Sequence, residues 1–432
     1  MINEILEKAK LISDEAEVLG VEGEQFPVQF ENNKLKTALS RSVKGYALRI
    51  IKDGKIGFSS TTKPDAANEL VEFALETAEF GQQASFEFPG MPDKLPSVKV
   101  MDPNVAAISV ERLVEIGQEI LDAIRCAEPD AQVAIGLGKS QGMQRLINTR
   151  GLDVSYQASD YSVGASIEII RGTDMLQIWE DVESRSLVDS SKLAASVIEK
   201  ARIGREIVPI DAGTMPVIFT PKGFAGTLAL PITLAFNGKE VLQGATPVSD
   251  KVGQRMFDER LSIYDDGTID FSIGSQPYDD EGLLVGRMPL IEKGVVSNFI
   301  YDLDSAAKAG KQSTANGKRG LGSLPGPGYN SIVIEPGDTS LEDMIKGIKY
   351  GLLIDQTMGS WTGNIRSGQI SGNVHYGIKI ENGELVGRVK DVMIACNVFE
   401  ALNNIQTMEN QSHWQGNLHA PHILFSALNV AS

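Results

Sequence analysis

Cysteine and histidine are scarce in this sequence: 432 residues hold two cysteines and four histidines. Cys126 and Cys396 stand far apart and outside any C-x-x-C pattern, which excludes a disulfide framework and a cysteine zinc knuckle. There is no H-E-x-x-H. No stretch approaches the roughly 20 apolar residues that span a bilayer. No block of Lys and Arg offsets the acidic excess, 40 basic against 57 acidic side chains, a formal charge of −17. Attraction to nucleic acid or to an anionic membrane needs clustered positive charge, so neither is expected as a direct partner. The opening MINEILEKAKLISDEAEVLG mixes charges from its third position on, unlike the apolar core of a secretory signal. The expectation is a cytoplasmic globular protein with real cores, since 42% of the residues are apolar.

The patterns that are present predict an α+β chain of two domains. Apolar residues from Ile2 to Leu19 recur at helical steps and stop at Gly20, predicting one opening helix. Asp53-Gly54, between two β-rich runs, predicts a hairpin. Helices are expected behind Pro64 and across Leu113 to Ile124, both lying against a sheet. Residues 132–183 read as short strands broken by turns, and SSKLAASVIEKA as a helix. The turn-rich REIVPIDAGTMP places a boundary near residue 205, giving an N-terminal α+β domain over 1–205 and a β-rich domain over 206–432. The second half opens with the strand PVIFT and a Gly/Ala-rich apolar segment. It contains an Asn382-Gly383 hairpin, a helix VMIACNVFEALNNI with Cys396 on its apolar face, and the final strand HILFSALNV.

Candidate chemistry is thin. Ser140 in GKSQG matches the G-x-S-x-G nucleophile pattern, but MQRLINTRG behind it is too short for the helix that must carry the elbow. The loop from Gly310 to Gly317 has six residues between its glycines where a phosphate loop needs four, and Arg319 stands where Ser or Thr would hold magnesium. Asp279, Asp280 and Glu281 offer oxygen ligands, but a solvated acidic loop is the commoner explanation and the EF-hand spacing is absent. His413, His419 and His422 crowd the C-terminus, yet His419-Ala420-Pro421-His422 has neither the spacing nor the amides of a helical metal pair. They read as polar loop residues, with His413 and His419 the alternative metal ligands. His375 stands alone in an apparent strand.

Three blocks carry a resemblance: RSVKGYALRIIKDGKIGFSSTT, then PYDDEGLLVGRMPLIEKGVVSNFIYDLDSAAKAGKQSTANGKR, then the Asn382-Gly383 hairpin with the expected closing helix. Together they resemble the TldD/PmbA family, in its PmbA (TldE) branch, whose members are also called modulators of DNA gyrase. The resemblance implies a cytoplasmic, dimeric member of a metallopeptidase system that acts on small unfolded peptides. In that system a TldD-type subunit carries the zinc, on an H-E-x-x-x-H helix and a cysteine from the loop before the last strand. In this sequence the matching segment GFAGTLALPITLAF puts Ala229, Leu230 and Leu234 at those positions, with Pro231 between them, and HWQGNLHAP supplies histidines but no cysteine. None of the three side chains binds zinc or moves a proton. The expectation is therefore a subunit with no catalytic residue and no cofactor of its own, joined to a TldD-type zinc peptidase. The alternatives are an independent peptidase using His413, His419 and acidic residues, or a regulatory binding protein.

Overall fold

The computed structural model describes residues 1–94 and 96–432. The chain opens with helix α1 (Ile2–Lys10) and strands β1 (Glu15–Glu31), β2 (Lys34–Ala38), β3 (Arg41–Lys52) and β4 (Lys55–Thr61). Helices α2 (Ala67–Glu79), α3 (Pro103–Ala107) and α4 (Val110–Ala127) precede the long strands β5 (Gln132–Asn148), β6 (Asp153–Arg171) and β7 (Asp174–Ser184). Helix α5 (Ser191–Gly204) leads to β8 (Gly213–Phe219).

The opening helix is shorter than its sequence period suggests. It ends at Lys10, where Leu11 is 85% exposed, and the apolar residues beyond Glu15 belong to a strand. Ala16 and Val18 face a core while Glu15 to Gln25 pair with β3, so tertiary pairing overrides the helical spacing there. The Asp53-Gly54 turn has φ of 49° and 74°, the left-handed pair that joins β3 to β4.

Strands β1 to β7 form one antiparallel sheet in the order β4-β3-β1-β5-β6-β7, with β2 on β1. One face of β5 and β6 buries Val133, Ile135, Leu137, Val163 and Ile167 under α4 and α5. Gly117 of α4 lets that helix approach closely, since a Cβ there would stand 2.3 Å from the Phe30 ring.

From Gly213 on, β8 joins the strands Tyr350–Met358, Gln369–Glu381, Met393–Asn397 and Ile423–Ala431. Each pairs with the next and Ile423–Ala431 pairs back to β8, so the ring closes into a small barrel. The Asn382-Gly383 hairpin forms, with φ of 52° and 81°. VMIACNVFEALNNI is not one helix: Met393–Asn397 is a strand laddered between two others, and only Val398–Ala401 is helical, capped by Asn397. The helical spacing of Val392, Cys396 and Phe399 coincides with a strand followed by a turn of helix. Cys396 nevertheless packs against the main core, and burial, with Glu400 nearby, pushes its thiol up to about 12.

Candidate functional site where the two halves meet

The open face of the N-terminal sheet is floored by small residues. Across adjacent strands the register sets Pro27, Gly138, Ser162 and Glu183 in one row, and Gln29, Gly136, Gly164 and Asp181 in the next. A Cβ on Gly136 would meet nothing within 4 Å, so that glycine leaves open space above the sheet. The result is a groove whose far edge is acidic, with Asp181 and Glu183 along β7. Burial, aided by Asp181 and Asp160, raises the Glu183 carboxyl above the usual range.

At its β7 end the groove meets the second half. The hairpin of strands His413–Gln415 and Leu418–Ala420 reaches over, and Gln415 Nε2 donates to Asp181 Oδ2 at 3.1 Å. Beside it lies a helix α6 (Pro221–Thr227), whose N-cap Thr220 accepts from the Gly223 amide and donates to Asp355 Oδ1 at 2.8 Å. Lys200 Nζ sits 2.5 Å from Glu180 Oε1 and 2.6 Å from Asp355 Oδ2. Lys222, on α6, shares Glu180 at 3.3 Å and stands 5.0 Å above the Trp179 ring. Burial lowers the Lys222 ammonium; Lys200 is also desolvated, but Asp355 and Glu180 more than offset it and hold that ammonium above the ordinary range. Sequence reasoning did not find this cluster, because its residues come from four separate segments.

The segment that the resemblance sets against a zinc-binding helix follows at once. It is interrupted: α6 ends at Thr227 and α7 (Ala229–Ala235) begins after Leu228. Pro231 has no amide to offer Thr227, so an unbroken helix is not available. Ala229, Leu230 and Leu234 are half-buried on α7 and present no nitrogen, oxygen or sulfur donor. The residues here do not fit zinc.

The remaining predicted residues fall elsewhere. Ser140 is mid-strand in β5, with no strand-to-helix turn, and its Oγ donates to Asp160 Oδ2 at 3.0 Å. His375 stands on the strand Gln369–Glu381 with its ring 5.2 Å from Trp179; its Nε2 is buried with no hydrogen-bond partner among the described residues, and burial lowers its pKa. His419 stacks on Trp414 at 4.4 Å, its pKa lowered by burial. His413 and His422 come together instead, ring centroids 5.4 Å apart, on a residue the sequence did not single out. Glu409 Oε2 lies 3.0 Å from His413 Nε2 and 2.6 Å from His422 Nδ1. Burial pushes Glu409 up, but the hydrogen bond and charge of His422 outweigh it and hold the carboxyl below its usual range.

Asp279, Asp280 and Glu281 are not a solvated loop. All three are buried: Asp279 accepts the amides of Glu281, Leu283 and Gly317, and Asp280 accepts that of Arg319. Glu281 Oε1 takes Arg49 Nη1 at 2.8 Å, and Arg49 also reaches Glu17, as does Arg319 at 2.9 Å. The acidic triplet is thus part of a buried charge network joining the N-terminal sheet to the Gly310–Gly317 region.

The comparisons with known proteins agree with this architecture. The PmbA/TldA metallopeptidase C-terminal domain matches residues 212–432, and PmbA/TldA metallopeptidase domain 1 matches residues 16–78. The chain belongs to the PmbA/TldD family. It is 23% identical to the metalloprotease PmbA of Escherichia coli O157:H7, over 100% of this chain and 95% of that one. Among solved structures it superposes on TldE from Thermococcus kodakarensis with a TM-score of 0.91 and 26% identity, covering 100% and 99% of the two chains. A Thermotoga maritima protein solved under the name of a DNA gyrase modulator has the same fold, with a TM-score of 0.90 at 21% identity. The family is metallopeptidase-related. Among the described residues no helix is long and apolar enough to cross a membrane.

Proposed function

We propose that this chain is the partner subunit of a TldD/TldE-type peptidase, working in the cytoplasm as part of a dimer. It helps hold an extended peptide and leaves bond cleavage to a zinc-bearing TldD-type subunit. The observation that carries this reading is the apolar, interrupted α6–α7 segment. Where a metallopeptidase of the family would place two ligands and a general base, Ala229, Leu230 and Leu234 supply none. The small-residue groove supports a peptide-holding role, because an extended backbone can lie close to a floor where Gly136 leaves space, while Asp181 and Glu183 favour basic side chains.

The test is co-expression with a TldD-type chain that carries H-E-x-x-x-H. The two should co-purify, and the mixture should hydrolyse unfolded peptides in a chelator-sensitive way while this chain alone does not. Chelator-sensitive cleavage by this chain alone would overturn the reading. An independent peptidase is the second reading, and the Glu409, His413 and His422 cluster is the observation in its favour. The gyrase-modulator reading has only the names of fold relatives behind it. A topoisomerase in place of a TldD-type chain among the co-purifying proteins would favour it.

A further inference from the structure

We propose that Glu409, His413 and His422 bind one divalent ion of the zinc class, in a structural site at the C-terminal hairpin that uses no residue of the α6–α7 segment. Glu409 Oε2, His413 Nε2 and His422 Nδ1 all lie within 4.8 Å of one another. Around a tetrahedral zinc with bonds of about 2.0–2.1 Å, ligand atoms stand roughly 3.3–3.5 Å apart, so small side-chain rotations would close the set. Two imidazoles and one carboxylate are the donor chemistry that suits such an ion.

The backbone already holds the ligands in place. The Glu409 amide donates to the His422 carbonyl at 2.9 Å, the Glu409 carbonyl accepts from Gly337 at 2.7 Å, and His413 is fixed opposite Ala420 in the hairpin. The Glu409 side chain is only 8% exposed, and His422 14%, whereas His413 is 46% exposed. Solvent thus has access on the His413 side, which gives the ion an entry path and a fourth position for water. Such an ion would pin the hairpin, the start of the last strand and the turn at Gly337 to one another.

The site does not rest on the partner-subunit reading. Chelator-treated, full-length protein is titrated with zinc chloride, followed by calorimetry and by metal analysis after desalting. Cobalt uptake is read by its visible absorption. One ion per chain is expected. Glu409→Gln, His413→Ala and His422→Ala should each weaken uptake by at least about tenfold, and His419→Ala should retain it. Circular dichroism checks folding, and His413→Ala, at the half-exposed ligand, keeps the test valid if the buried variants fail to fold. No zinc taken up by the native protein, or full retention in the folded ligand variants, overturns the site. Zinc-loaded protein that also cleaves peptide by itself would overturn the partner-subunit reading and the structural role of the ion.

Discussion

Replacing Arg49 by methionine should destabilise this protein far more than the loss of a surface charge does. Arg49 is 2% exposed, with Glu281 at 2.8 Å and Glu17 at 3.1 Å, both carboxylates fully buried. Its guanidinium also lies 4.8 Å from the Phe88 ring and 5.3 Å from that of Phe86. Removing one member of a buried pair leaves the other charge uncompensated, at a cost of about 3–5 kcal/mol. Methionine keeps apolar and sulfur–aromatic contact with the two rings, so that cost remains the main term. For a urea slope of about 3 kcal/mol/M, the midpoint should fall by about 1–1.7 M. Glu281→Gln placed on top of Arg49→Met removes the stranded charge while its carbonyl can still accept the Leu303 amide, which Glu281 takes at 2.7 Å. The double variant should therefore recover about 2 kcal/mol relative to additivity. The assay is urea denaturation of all four species, followed by tryptophan fluorescence. A single-variant shift below about 0.5 M, or strict additivity in the double, would refute the claim that this network is a coupled, buried ion cluster.

The thiols should separate cleanly: Cys126 is exposed whereas burial pushes Cys396 up to about 12, so a thiol reagent at pH 8 should titrate one cysteine in the native protein and two in denaturant. In alkali, Tyr156 and Tyr278 should mark the transition. Burial, with Asp280 adding to it, raises both phenols above their ordinary value of about 10. A folded pKa above the unfolded one means the stabilisation is fully present below pH ~10 and is lost as pH rises beyond it. Tyrosinate absorption should accordingly appear together with unfolding, and early ionisation of every tyrosine without loss of structure would contradict this.

Much of this protein was legible in its residues because the signals are local. Asp53-Gly54 and Asn382-Gly383 name their own turns, since the left-handed conformation favours those residue types. The apolar face of α4 follows from its period, and that Ala229, Leu230 and Leu234 carry no zinc-binding atom follows from their chemistry alone. The same local logic misread Ile2 to Leu19 and the stretch around Cys396, because there a strand ladder outweighs helical spacing.

The sequence by itself determined the family, the α+β class and the absence of zinc ligands on α7, all properties of side-chain identity in short windows. Only the tertiary structure decided that Asp279, Asp280 and Glu281 are buried on arginines and amides, and that Glu409 gathers His413 and His422 while His419 stacks on Trp414. It likewise brought β7, α6 and the C-terminal hairpin to the end of one groove. These outcomes depend on contacts between residues up to 234 positions apart, such as Gln415 with Asp181. The free energy that sets such contacts, desolvation against charge pairing, exists only once the chain has closed around them.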